Sequence, residues 1–204
     1  MKHMFVAVFI LLFCNNVYAK GPYSGSGRNP PKKLSERQIS VLKNFVPLIK
    51  WSGEDPFVMT AIAMVESSLT ESAISRSGDY GILQVNCRIH SKKLKKLFGF
   101  KHCKKDMLDM RKNIVASAYV LSRFRKYRAC RKHHLYACYN GGQGWKAVLK
   151  KCMEEKNCEA PCRKCNRPAR YANSVKKHIR FLKRKYSDLI LSLSSAEYTP
   201  AATE

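Results

Sequence analysis

With 204 residues, 39 Lys and Arg, 14 Asp and Glu, and a formal net charge of +25, the chain is one domain with tails, large enough to bury a real core. Those figures exclude an array of domains. So strong a positive field favours an anionic partner.

Residues 1–19 have the order of a secretory signal peptide. Lys2 gives a positive start, residues 4–13 a short apolar run, and Val17-Tyr18-Ala19 a small-residue cleavage site. The run is too short to span a bilayer, so no stable membrane span is expected. Bulky Phe13 argues against Cys14 as a lipidated cysteine. The reading is an exported protein, periplasmic or extracellular. Residues 20–33, rich in Gly, Ser and Pro, read as a flexible linker.

The domain is expected over 34–186. Ser35-Glu36-Arg37-Gln38 is a capping-box start, with Ile39, Leu42, Phe45, Val46 and Ile49 following at helical spacing. Asp55-Pro56 opens a second helix, the cap standing before a proline at the first helical position. Its inward face is Phe57, Val58, Ala61, Ile62, Val65 and Leu69, and Glu66, four residues after Ile62, sits at that face's edge. Residues 78–86 allow at most a small hairpin. A short basic helix is predicted over 91–98. A long helix capped by Asp106 runs to about residue 127, with Ile114, Ala118, Leu121 and Phe124 inward. Further helices are predicted over 135–139, 145–153 and 170–186, and residues 187–204 read as a frayed, disordered tail. The fold class is mostly α.

Nine cysteines become eight once Cys14 leaves with the signal segment, and an even number in an exported chain points to disulfides. Closure over short loops would pair Cys87 with Cys103 and Cys130 with Cys138, and put two more bridges among Cys152, Cys158, Cys162 and Cys165. A zinc site made of the last four is the rival, but their spacing is not a usual zinc pattern and export weighs against it. The six histidines show no paired metal spacing.

Residues 20–186 hold 38 basic and 11 acidic side chains, a net +27. Two basic runs stand out, residues 92–96 and 176–185. Neither is accompanied by a base-reading aromatic platform, so no nucleic acid is expected. A solvated face or contact with an anionic cell envelope accounts for them.

The segment from Glu66 to Asn86 says most about chemistry. A carboxylate ends an apolar helix, a Gly-punctuated turn follows, and a short apolar run is closed by an amide. That order places one carboxyl beside apolar side chains at the rim of a cleft. Burial there disfavours the ionised form, as a general acid near neutral pH requires. Glycoside cleavage uses such an acid.

The same segment resembles the catalytic signature of the soluble lytic transglycosylase (SLT) family, within the lysozyme-like superfamily. Glu66-Ser67, Ala73, Ser75, Gly78, Gly81 and Gln84 fall in register with its Glu-Ser and Ala-x-Ser-x-x-Gly-x-x-Gly-Leu-Met-Gln pattern, Ile82-Leu83 replacing Leu-Met. Cys138-Tyr139-Asn140-Gly141-Gly142 is similar to the family's Ala-Tyr-Asn-x-Gly, with Cys for Ala. Tyr171-Ala172-Asn173-Ser174-Val175 is similar to Tyr-Val-x-x-Val, with Ala for the first Val. Three elements in the right order span residues 66–175.

The resemblance implies a disulfide-stapled, goose-type or SLT lysozyme-like domain, a monomer acting on peptidoglycan glycan strands. It implies that Glu66 protonates the oxygen bridging N-acetylmuramic acid to N-acetylglucosamine. Glu66 then serves as base on the muramoyl C6 hydroxyl and yields a 1,6-anhydro end, a route needing no cofactor and no metal. Tyr139 and Asn140 are expected to line the glycan cleft and the Tyr171 hydroxyl to bond the catalytic carboxyl. Ser67 and Gln84 are expected to hold substrate or the cleft wall. Asp79, where the transglycosylases usually have Ala, stands in a segment also similar to c-type lysozymes. It is either a turn residue or a supporting second carboxylate. Two alternatives stay open: a hydrolysing lysozyme (muramidase or endolysin) on the same fold, and a cationic envelope-binding antimicrobial protein.

Overall fold

The computed structural model describes residues 29–131, 134–156 and 166–196. The signal segment, most of the linker and the end of the tail lie outside them, as do Cys158, Cys162 and Cys165.

Helix α1, Glu36–Ile49, starts on the predicted capping box: the Ser35 hydroxyl accepts the Gln38 N–H, and the Gln38 side chain accepts the Ser35 N–H at 3.0 Å. Helix α2, Pro56–Ser67, is capped by Asp55, whose carboxylate accepts the Phe57 and Val58 N–H groups at 2.7 and 3.1 Å. Its middle turns, Met59 to Met64, are buried all round, as suits a helix wrapped by others. It runs through the centre of the domain and packs along α8, Arg167–Lys185. Phe45, Leu42, Met59, Ile62 and Leu121 are fully buried in this core. Each contributes about 1.5–3 kcal/mol by leaving water.

Strands β1, Asp79–Tyr80, and β2, Val85–Asn86, form an antiparallel hairpin pairing Asp79 with Asn86 and Tyr80 with Val85. Helix α3, Cys87–Phe98, begins before residue 91, because the Asn86 side chain caps it by accepting the Ile89 N–H at 3.1 Å. The one-turn helix α4, Cys103–Asp106, leads to the long α5, Met110–Lys126. The cap of α5 is Asp109 and not Asp106. The Asp106 carboxylate is occupied by the His102 N–H at 2.9 Å and the Lys112 ammonium at 2.6 Å, while Asp109 accepts the Lys112 N–H at 2.9 Å. Helices α6, Leu135–Gly141, and α7, Trp145–Glu155, complete the far side of a cleft.

The expected disordered tail is a helix over its first part. Helix α9, Ser187–Ser195, packs on α1, with Ile190 fully buried and Leu193 against the same core. Ile190 and Leu193 lie three apart, so one face is apolar enough to dock.

Two disulfides join Cys87 to Cys103 and Cys130 to Cys138, as short-loop closure predicts. Cys152 is disulfide-bonded as well. Among the described residues no three His, Cys, Asp or Glu side chains gather to hold a metal ion, and no helix is long and apolar enough to cross a membrane.

Candidate active site

Helix α2 ends at Glu66 and Ser67 because the next two residues leave the helical region. Ser68 and Leu69 stand at φ 55° and 62°, in left-handed conformations that non-glycine residues rarely adopt. Arg37 of α1 holds them there, donating to the Ser68 and Leu69 carbonyls at 3.0 and 3.1 Å. The chain then turns back through 73–81 into the hairpin, and Glu66 is left facing a cavity of about 440 Å³ between the hairpin, α3, α5 and α6–α8.

The loop above Glu66 is clamped by Asn113, fully buried on α5. Its side-chain oxygen accepts the Leu83 N–H at 2.9 Å, and its amide donates to the Tyr80 and Met107 carbonyls at 2.9 and 3.0 Å. Gly81, at φ 77°, passes so close to the segment joining α4 to α5 that a Cβ would lie 2.0 Å from the Met107 carbonyl. Gln84 secures the same loop, its amide donating to the Ala73 and Gly81 carbonyls at 2.9 and 2.8 Å.

Glu66 is the most perturbed acid here. Burial raises its pKa from 4.5 to about 8, the Asp79 charge adds to the rise, and Tyr171 and Arg167 oppose it. The carboxyl is therefore protonated at neutral pH and available as a proton donor. Tyr171, near the start of α8, stands behind Glu66 and does not line the cavity. Its buried hydroxyl makes no well-formed hydrogen bond in this geometry, yet it lies close enough to favour the carboxylate. Burial and the nearby carboxylate both hold the Tyr171 phenol well above its ordinary pKa.

Asp79 does line the cavity. Its carboxylate accepts the Ser75 and Ser77 hydroxyls on one oxygen and the Asn86 amide, at 2.6 Å, on the other. Three donors thus occupy it, and it knits the hairpin together. Tyr139 and Asn140 of α6 line the cavity as expected, the Tyr139 hydroxyl donating to the Leu83 carbonyl at 2.9 Å. Ser67 does not face the cavity. It is fully buried, its hydroxyl donating to the Ile82 carbonyl at 2.8 Å and accepting the Thr70 N–H at 3.0 Å, so it braces the turn from inside.

Sequence reasoning missed several residues of this site. Asn113 was legible as a polar residue on the inward face of α5, next to Ile114. His90 of α3 lines the cavity, with a pKa lowered to about 4, chiefly by burial and then by Arg123, so it is neutral. Arg123, Arg167 and Trp145 join the walls only through the packing of α5, α7 and α8, and no local pattern marks them.

The helices, the minimal hairpin and the Cys87–Cys103 and Cys130–Cys138 bridges make up a lysozyme-like fold. The transglycosylase SLT domain model matches residues 49–159, more than half of the chain, and the chain belongs to that family. The matched stretch holds Glu66, the hairpin and the Tyr139-Asn140 pair, and ends before Tyr171. Membership implies peptidoglycan as the substrate. No curated protein matches the chain.

Proposed function

We propose that the protein is a lytic transglycosylase that cuts the β-1,4 bond between N-acetylmuramic acid and N-acetylglucosamine. The observation that carries this reading is Glu66: one carboxyl, protonated at neutral pH, at the apolar edge of the cleft. In the first step its proton goes to the bridging oxygen as the C1–O bond breaks. The resulting carboxylate then takes the proton of the muramoyl C6 hydroxyl, whose oxygen closes on C1. Glu66 ends protonated and no water is consumed. Two disulfides suit an oxidising compartment, which supports export and work outside the cytoplasm.

The hydrolytic reading has one observation in its favour, since Asp79 lines the same cavity and its charge acts on Glu66. The three donors on the Asp79 carboxylate weigh against it as a free nucleophile or water activator. Mass spectrometry of products from purified wall separates the two, because an anhydro end is one water lighter than a hydrolysed one. Anhydro ends that vanish with Glu66→Gln support the proposal; hydrated ends lost with Asp79→Asn would replace it with a lysozyme. Killing or wall binding untouched by Glu66→Gln, with no glycan cleaved by the wild type, would favour the cationic envelope-binding alternative.

A further inference from the structure

On the other side of the 75–80 loop from the cavity lies a second, open depression of about 770 Å³. Arg76, Arg88, His102, Lys104 and Lys105 line it, and no acidic side chain does. All five are exposed. The ion pairs among the described residues join Lys112, Arg125, Lys150 and Lys151 to their acids and use none of these five. Asp106, the nearest acid along the chain, directs its carboxylate at Lys112 and the His102 N–H. Like charges gathered without partners repel one another, and an anion seated among them relieves that repulsion.

The depression is also held in shape. The Cys87–Cys103 bridge ties the α3 wall to the α4 wall, and both cysteines line the floor. Arg88 lies along Gly78, where a Cβ would come within 3.3 Å of its Nε. The loop is shared between two sites. Ser77 and Asp79 line the cleft, while Ser75, Arg76, Gly78 and Tyr80 line the depression. A polymer lying in the cleft would therefore run along a loop whose other side carries the cations.

We infer that this depression binds the free carboxylates of the peptide stems borne by the glycan strand. The inference rests on the peptidoglycan reading above. Two guanidinium forks and two ammonium groups suit carboxylates held a few ångströms apart. The site makes the enzyme selective for glycan that still carries its peptides, without a role in the bond-breaking step.

The test uses the full mature chain. A synthetic stem tetrapeptide with free carboxylates, titrated into Glu66→Gln protein and followed by NMR, should perturb the resonances of residues 76, 88, 104 and 105. Its fully amidated form, and the Arg76→Gln/Arg88→Gln variant, should each bind about tenfold more weakly, the scale of losing one charge-assisted contact. In kinetics the same double variant should raise KM about tenfold on stem-bearing glycan, leave kcat unchanged, and change neither on glycan stripped of peptides by an amidase. Equal binding of the free and amidated peptides would overturn the inference. So would equal loss on both glycans, no peptide binding at millimolar concentration, or a phosphodiester polymer binding more tightly than the peptide. If the wild type cleaves neither glycan, the proposed function fails while the peptide titration still decides this site.

Discussion

Glu66 is held by opposing influences of unequal size, and desolvation wins. Burial and Asp79 push its pKa up, Tyr171 and Arg167 push it down, and the balance is about 8. The consequence for stability has a definite sign. The folded chain keeps a proton that the unfolded chain releases near 4.5, so stability is full below that value and is lost as pH rises towards about 8. Glu66→Gln does not titrate. It should lower glycan cleavage about a hundredfold or more while melting progressively higher than the wild type between pH 5 and 8, with a constant margin above. Parallel thermal melts across pH 5–9 check this; a margin independent of pH would show that Glu66 is not buried as described. The rate should fall as pH passes about 8, because the acid form is used first. Tyr171→Phe removes a group that favours the carboxylate, so the alkaline limb of the pH–rate profile should move upward. An unmoved limb would mean that the phenol does not act on Glu66.

At the scale of elements, the site depends on a turn that would not hold itself. Two consecutive left-handed non-glycine residues, Ser68 and Leu69, cost roughly 1–3 kcal/mol each. Arg37, in the first turn of α1, offsets this through two hydrogen bonds to their carbonyls. Arg37→Ala should therefore lower kcat although Arg37 lines no part of the cavity, and lower the melting temperature by a few degrees. Circular dichroism should still show the native helix content. Unchanged kcat would mean that the other contacts of the turn, the Gln38 amide on the Ser68 carbonyl among them, hold it without Arg37. The loop has its own fastening in Asn113, a buried amide with every polar atom used, which ties Tyr80, Leu83 and Met107 to α5. The Glu66 carboxyl and the hairpin are thus set by different helices, and the cleft is the gap between them.

At the scale of the whole molecule, the first and last parts of the described domain close on each other. The Leu34 N–H donates to the Tyr186 hydroxyl at 2.8 Å, and α9 lays Ile190 into the core beside α1. A chain stopped after Tyr186 should lose about 2–4 kcal/mol, the scale of deleting one large buried aliphatic side chain and its neighbours, read as a lower urea midpoint. An unchanged midpoint would return residues 187–195 to the status of a tail. The net charge of +25 acts on a longer scale. Wall binding should weaken as salt shortens the Debye length from about 10 Å at 0.1 M to about 3 Å at 1 M. Cleavage of short soluble glycan chains should change much less, because Glu66 works inside the cleft. Equal salt dependence on both substrates would mean that the charge acts within the cleft. Helix α8 is a weaker candidate anchor than its basic run suggests. Lys177 bonds the Asn29 side chain, Lys185 the Lys32 carbonyl, and Lys183 lies over the Phe57 ring, so these three steady the protein's own surface.

The sequence by itself determined what is local. Caps at Ser35 and Asp55, the apolar stripes of α1 and α2, the glycines of the hairpin turn, the two short-range disulfides and the family register of Glu66 with Gly81 and Gln84 depend on neighbours within about twenty residues. Periodicity and turn chemistry encode such neighbours directly. The tertiary structure decided what depends on distant partners. Ser67 carries the family motif but turned inward, because Ile82 offers its hydroxyl a carbonyl from across the turn. Asp106 lost the cap of α5 to Asp109 because Lys112 occupied its carboxylate. Residues 187–195 became a helix because α1 and α2 leave an apolar face for Ile190, and no pattern within nine residues states that such a face exists. The pKa of Glu66 is of the same kind. A sequence can place a carboxyl at the edge of an apolar helix, but only the packing of α8 and the hairpin around it removes the water that would keep it ionised.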